Sequence, residues 1–328
     1  MTIQGQEIIL PYGAWQKEEV KSFIFPQKWN IKIMAPEDAP EISDDDIEKA
    51  FLEPIGVSEI TKIFSGKKNA VIVIDDITRP APLGRVLKKL ICKIINAGIT
   101  SDKIKILIAT GAHRPMSTKE IELKISKEIF QEYKVIIHDF MGEDVQKVGW
   151  IDGGPVYINK YFLNADLKIC LGGVVLHGET GFGGASKLII PGIAGNLSIA
   201  HLHGALPARP AGNLESKNKK FDRRSWMESV ARNLGVDLAI CVLVNSKRQI
   251  AGVVAGDIIK AHREAAKLAG KIGKTELKKE LLQNMDILIV NAYPLDTDPI
   301  QMSKGLSIAE KLSPKVTVVI NAASDGIF

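Results

Sequence analysis

The sequence predicts a doubly wound α/β fold with a mainly parallel sheet, followed by a second, smaller α/β domain. Three observations carry this. Continuous apolar runs bounded by turn signals recur at 69–76, 103–111, 134–140 and 167–174, as in strands buried on both faces. Stretches of helical periodicity separate them; in 81–97 the apolar positions are Leu83, Val86, Leu87, Leu90, Ile91 and Ile94. Strands alternating with helices imply parallel pairing through crossover connections. A chain of 328 residues has room for two domains. The expected division is 1–275 for the first and 276–328 for the start of the second.

In chain order, QEIILPYG and WNIKIMAP alternate as two short strands. The acidic stretch Glu37–Glu53 is a loop running into a helix, with Ser43 as its N-cap. The first two buried strands flank the 81–97 helix. A helix near 117–131 precedes the third strand. The fourth, LKICLGGV, leads into a glycine-rich segment. VDLAICVLVN and GVVAGDII add further apolar runs, and 256–285 is expected to be largely helical. The second domain then reads as strand MDILIVNAYP, helix 300–312 and strand KVTVVINA.

Composition excludes several classes. Apolar residues make up 45% and charged residues 25%, which is neither a disordered nor a fibrous chain. Cys92, Cys170 and Cys241 are far apart in apolar stretches and read as reduced, buried thiols; no CxxC or CxxH pair suggests zinc. The N-terminus lacks a charged region ahead of an apolar core, and no apolar run reaches 18 residues, so the expected location is cytoplasmic. Net charge is +5. The basic stretch Lys217, Lys219, Lys220, Arg223 and Arg224 reads as a solvated face rather than a nucleic-acid stripe. A small anionic substrate accounts for the mild excess equally well.

In open parallel sheets ligands bind beyond the carboxyl ends of the strands, so the loops there carry the candidates. After the first buried strand comes Asp75-Asp76-Ile77-Thr78-Arg79-Pro80, where Thr78 can cap the next helix and Arg79 can clamp a carboxylate or phosphate. After the second comes Thr110-Gly111-Ala112-His113-Arg114-Pro115, which places His113 to give or take a proton in a cleft or, alternatively, to bond a backbone carbonyl. The densest stretch, 172–204, holds His177, His201, His203 and the run Gly181, Gly183, Gly184, Ser186, Lys187. Its Ser precedes its Lys, so it is not a P-loop. His201 and His203 share a side on a strand and diverge on a helix. A late cluster places Gln301 and Lys304 three apart, on one helix face. His138 and His262 read as structural. No GxGxxG follows a strand, which argues against a nicotinamide dehydrogenase.

The ordered set of a DDxTRP loop, a G-[TA]-H-R-P loop, a GG…H…GF[SG]GGxK segment with a following PG, a later His and a late QxxK resembles the nickel-dependent lactate racemase family over about 8–322. The resemblance implies an isomerase, a racemase or epimerase of a 2-hydroxy acid, working through a nickel-pincer nucleotide bound covalently to Lys187. It implies His203 as the protein's nickel ligand, His113 and His177 as acid/base pair, and Asp76, Thr78, Arg79, Gln301 and Lys304 as cofactor and substrate contacts. Its implied partners are a small 2-hydroxy acid and the cofactor-assembly enzymes, with no nucleic acid and no membrane. Two departures stand out. Ile300 occupies a position where many family members carry an aromatic residue, and the family's second domain is longer than 276–328. A paralogue that binds the cofactor or a small carboxylate without turnover is the alternative reading.

Overall fold

The computed structural model describes residues 5–15, 18–216, 221–275, 285–296, 299–302, 309, 312 and 314–320. The chain forms two compact units. One gathers 1–38, 246–248 and 272–328; the other comprises 39–245 and 249–271.

The smaller unit begins with an antiparallel hairpin of β1 (Gly5–Tyr12) and β2 (Glu19–Pro26), paired in unbroken register from Gly5 opposite Pro26 to Tyr12 opposite Glu19. The partner strand is therefore 19–26. The expected strand at 29–36 does not form; its Ile33 is 70% exposed, so the local alternation there has no sheet to pack on. Drawing on both ends of the chain, this unit is held by specific bonds. The amides of Gly13 and Ala14 donate to the buried carboxylate of Asp296, at 2.8 and 3.3 Å, and Asn291 donates to the carbonyl of Pro11 at 2.9 Å.

In the larger unit, α1 (Asp44–Leu52) starts as expected at Ser43, which forms a reciprocal capping box with Asp46. After α2 (Ile60–Phe64) comes β3 (Ala70–Asp75), buried at every position. Then come α3 (Gly84–Asn96), β4 (Ile104–Ala109), α4 (Thr118–Ile125), α5 (Lys127–Glu132) and β5 (Lys134–Ile137). The six apolar positions read as the inner face of α3 are all at most 3% exposed. The helix expected at 117–131 is two helices, because Ser126 adopts a φ of 80° and its hydroxyl caps the second. Thr78 caps nothing, since α3 begins only at Gly84. Cys170 and Cys241 are buried, but Cys92 lies on the outer face of α3 and is exposed, contrary to expectation.

A second hairpin follows, β6 (Val145–Ile151) with β7 (Gly154–Asn159), closed by Asp152 and Gly153, both at positive φ. Beyond α6 (Lys160–Leu163) lie β8 (Leu167–Gly173), the two-residue strands β9 (Leu176–His177) and β10 (Gly181–Phe182), and a 3-10 turn at Ala185–Leu188. The unit is completed by α7 (Asn196–Ala205), α8 (Arg223–Asn233), β11 (Leu238–Val244), β12 (Ile250–Gly256) and α9 (Lys260–Ile272). Residues 276–284, also expected to be helical, lie outside the described set. The smaller unit adds β13 (Ile287–Asn291), α10 (Pro299–Met302) and β14 (Val316–Ile320), with β13 and β14 parallel.

The central sheet runs β12-β11-β8-β3-β4-β5, parallel except for the β11–β12 edge. The chain leaves β3 toward β4 and β5, then returns to its other side at β8. That reversal puts a topological switch point at β3, where crevices open at the carboxyl ends of the strands. The loops after β3, β4 and β8 therefore meet, and they are the three loops singled out from the sequence.

Candidate active site

The floor of the crevice is a buried ion pair. Asp75 ends β3 and is 4% exposed; Lys124, from α4, is 0% exposed. Lys124 Nζ lies 2.5 Å from Asp75 Oδ1 and donates to the Arg79 carbonyl at 3.0 Å. The other Asp75 oxygen accepts from the Gly173 amide at 2.5 Å, tying β3 to the end of β8. Burial pushes the Asp75 carboxyl up and the Lys124 ammonium down, and each opposes the shift in the other. A Cβ at Gly172 would stand 2.7 Å from Asp75 Oδ2, so glycine is needed for that approach.

Above the floor, Asp76 orients His113. Asp76 is 3% exposed, and its Oδ2 accepts from His113 Nδ1 at 2.6 Å. Its Oδ1 accepts from the Thr78 amide at 3.1 Å and hydroxyl at 2.5 Å. Thr78 therefore braces the carboxylate instead of capping a helix. Burial alone would raise the Asp76 carboxyl; the bond and charge of His113, the Arg79 guanidinium and Thr78 overcome it and hold the group down to about 2. Asp76 is thus ionised throughout the neutral range, which fixes the proton on His113 Nδ1 and turns Nε2 outward as the working nitrogen. The buried guanidinium of Arg79 donates to the Thr78 hydroxyl at 3.0 Å. The neighbouring Arg114 is locked bidentately to Glu120, which also closes the capping box of α4.

A folded-state carboxyl lowered in this way stabilises the protein above its unfolded value near 3.9, and the contribution is lost as pH falls toward 2. Asp76→Asn is therefore expected to remove about 2 kcal/mol at neutral pH and progressively less as pH falls through 2. Urea melts of both proteins across that range check this.

The third loop carries the remaining groups. His177 ends β9, and the tight β9–β10 pairing sets it opposite Gly181. Its Nδ1 accepts from the Glu179 amide at 3.2 Å, and its Nε2 stands 2.5 Å from Lys187 Nζ. Lys187 lies in the 3-10 turn that follows Gly184, whose φ is 80° and where a Cβ would meet the Gly173 carbonyl oxygen at 2.9 Å. From below, the fully buried Arg224 donates to the Gly184 carbonyl and the Ser186 hydroxyl, both at 3.2 Å. This corrects the solvated face expected around it: Arg224 is interior, paired with Glu228 at 3.3 Å, while 217–220 lie outside the described residues. The Gly183 backbone also passes Arg79, whose Nε is 3.8 Å from where a Cβ would sit.

His203 is in the last turn of α7, which settles the spacing question: on a helix His201 and His203 diverge. His201 packs against Trp226, ring centroids 4.9 Å apart. His203 Nδ1 is 3.4 Å from Glu179 Oε2, and Glu179 in turn pairs with Arg223 at 2.7 Å. Burial, with the Arg223 and Lys187 charges, lowers His203 against the pull of Glu179 and favours the neutral imidazole that can ligate a metal. Among the described residues no group of three His, Cys, Asp or Glu side chains is placed to hold a metal ion.

Seven of the nine expected site residues thus lie in the larger unit: Asp76, Thr78, Arg79 and His113 around one carboxylate, His177, Lys187 and His203 around the glycine-rich loop. Gln301 is buried in α10 of the smaller unit; Lys304 and the side chain of Ile300 lie outside the described residues. Sequence reasoning missed Glu179, Arg223 and Lys124. Glu179 had a signal, two residues from His177 in the same loop; the partnership of Lys124 with Asp75 had none, because it depends on tertiary packing. His138 is structural as expected: it is buried, its Nε2 donates to the Ala194 carbonyl at 2.9 Å, and Asn159 donates to its Nδ1. His262, beneath the loop, contacts Arg224, and its Nε2 donates to the Gly183 carbonyl at 2.9 Å.

The family described as the lactate racemase N-terminal domain matches residues 16–214, more than half of the chain. The chain belongs to the lactate racemase family. Lactate racemase of Thermoanaerobacterium thermosaccharolyticum is 32% identical over 291 residues, 86% of this chain and 66% of that protein. Lactate racemase of Lactiplantibacillus plantarum is 29% identical over 290 residues, again 66% of its length. The chain thus spans just under two thirds of these relatives. The crystallised lactate racemase apoprotein from T. thermosaccharolyticum superposes with a TM-score of 0.79 at 27% identity, covering 98% of this chain and 76% of that one. The α/β architecture with its mainly parallel sheet is therefore that of a lactate racemase. Among the described residues of this family member, no helix is long and apolar enough to cross a membrane.

Proposed function

We propose that this chain is a cytoplasmic isomerase that racemises or epimerises a small 2-hydroxy acid, lactate by default, with a nickel-pincer nucleotide as resident cofactor. The observation that carries the reading is that the loops after β3, β4 and β8 are bonded to one another, His113 to Asp76, the Gly173 amide to Asp75 and the Gly111 amide to the Gly192 carbonyl, with His177 and Lys187 in contact within the third. The residues fit the cofactor. One imidazole, His203, is too few donors for a nickel site by itself, so the remaining ligands must come from an organic group, and Lys187 offers that group an anchoring amine. When bound, it supplies a hydride acceptor, which avoids removing a proton from a carbon of very low acidity.

The protein's own part follows from the geometry. Arg79 holds the substrate carboxylate, and Gln301 and Lys304 are the proposed further contacts to substrate or cofactor phosphate. With the carboxylate held, only the reacting centre reorients. Asp76 keeps His113 Nε2 free to take the hydroxyl proton from one enantiomer. His177 is the acid/base group on the other side, since a racemase must handle both hands. Thr78 keeps the Asp76 carboxylate in place.

Chiral analysis of a panel of 2-hydroxy acids, using protein produced with the cofactor-assembly enzymes, tests the reading. Interconversion of at least one pair is expected, together with a covalent mass adduct on Lys187. His203→Ala is expected to lose nickel with an unchanged melting temperature, because an exposed side chain contributes little stability. An unmodified Lys187 and no interconversion would leave the non-catalytic reading in its place.

A further inference from the structure

Three arginines cluster around the glycine-rich loop, and one of them is paired differently from the other two. Arg209 meets Asp222 through two bonds of 2.9 Å. Arg263 meets Glu228 in the same way, at 2.7 and 3.0 Å. Each spends its forked end on a carboxylate, the arrangement that best offsets the water a guanidinium loses on burial. Arg224 is fully buried, yet it approaches Glu228 through Nε alone, at 3.3 Å. Its forked end goes to the loop instead. One terminal nitrogen donates to the Gly184 carbonyl and the Ser186 hydroxyl. The other lies 3.5 Å from the Gly183 carbonyl and contacts His262, whose Nε2 donates to that same carbonyl at 2.9 Å.

These bonds hold a backbone shape that the local sequence does not favour. Gly184 has a φ of 80° and Ala185 a φ of 52°, a region that an L side chain rarely adopts. The glycines beside it add freedom that folding has to remove. The Gly184 carbonyl accepts from Arg224 and also from the Lys187 amide, both at 3.2 Å. The Lys187 carbonyl accepts from the Gly192 amide at 3.2 Å, and the Gly192 carbonyl from the Gly111 amide at 2.9 Å, in the loop that carries His113. Arg224 is thus the buried end of a run of bonds that passes the Lys187 backbone and reaches the His113 loop. We infer that Arg224, assisted by His262, is a positioning residue that fixes residues 183–187 in one shape and so sets the Lys187 backbone against the loop of His113. The consequence for turnover rests on the proposed function; the rigidity of the loop does not.

Arg224→Lys keeps the charge and loses the fork, so it cannot serve two carbonyls and a hydroxyl together. Amide hydrogen exchange of the full chain, read by mass spectrometry, tests it. The peptide holding the Lys187, Ile189 and Ile190 amides is expected to exchange roughly tenfold faster, while the amides of β3 keep their rate. His262→Leu removes the second donor to the Gly183 carbonyl and should give a smaller rise in the same peptide. His262→Gln restores an N–H donor and should return the rate to that of wild type. This pair carries the test if Arg224→Lys does not fold. In protein loaded with the cofactor, Arg224→Lys should lower turnover per bound nickel by roughly 10- to 100-fold with little change in KM, the signature of misplacement at the reacting centre. A variant that is merely less stable loses nickel and turnover together and keeps their ratio. An unmoved loop in Arg224→Lys, an equal rise in β3, equal rates for the two His262 variants, or unchanged turnover per nickel would each overturn the inference. A loosened loop in a chain that interconverts no 2-hydroxy acid would remove the proposed function and leave Arg224 as the brace of the loop. An unmoved loop in an active chain would do the reverse.

Discussion

Lys124→Met will destabilise the protein by about 3–5 kcal/mol, the range for removing one partner of a buried ion pair. Lys124 is 0% exposed and faces Asp75, which is 4% exposed. Without the ammonium, Asp75 is left as a buried carboxylate with the Gly173 amide as its remaining bond to β8, and the Arg79 carbonyl loses its donor. The cost falls on the floor beneath Arg79, so the loop after β3 loosens together with the fold. Adding Asp75→Asn to Lys124→Met should restore a substantial part of the loss, because the stranded charge goes with it. Urea denaturation of the two variants measures both effects. A single-variant loss below 1 kcal/mol would mean that the pair contributes little to the fold.

The second large effect is catalytic. His113→Gln should lower the proposed interconversion by roughly 10²- to 10⁴-fold, the usual contribution of a positioned acid/base, and should also cost part of the stability that Asp76 contributes, because His113 is the main partner of that buried carboxylate. Asp76→Asn should lower the rate as well, since an amide no longer specifies which ring nitrogen carries the proton. Asp76→Asn leaves the imidazole in place, whereas His113→Gln removes the group that takes the proton. Chiral assay of both variants against pH separates positioning from proton transfer. Equal rates for wild type and His113→Gln would remove His113 from the reaction.

Much of this was readable from the chain. Parallel strands buried on both faces are unmistakable as apolar runs, so β3, β4 and β8 and the loops beyond them could be placed without coordinates. The inner face of α3 followed from its periodicity. What escaped depends on partners distant in sequence. The alternation at 29–36 looked like a strand, but a strand needs a neighbour, and β1 took 19–26. Arg224 looked like part of a solvated basic run, yet its guanidinium reaches inward to carbonyls forty residues away. The β6–β7 hairpin did have a local signal, the Asp152-Gly153 pair, and the weak apolar pattern around it drowned the signal out. At the site, residue types and spacing revealed the imidazoles and the lysine. The Glu179 amide that bonds His177 and the Lys124 ammonium that pairs with Asp75 are properties of the folded chain.

The smaller unit draws on both ends of the chain, 1–38 and 272–328, with 246–248 between. Translation is directional, so the opening hairpin leaves the ribosome more than two hundred residues ahead of the strands it shares a unit with, an interval of roughly 10–50 s at about 5–20 residues per second. During that wait Ile9, Val20 and Ile24, already 60–69% exposed in the finished structure, are uncovered on a nascent polypeptide. The hairpin therefore waits on residues near the other end of the chain before Asp296 and Asn291 can bond to its turn.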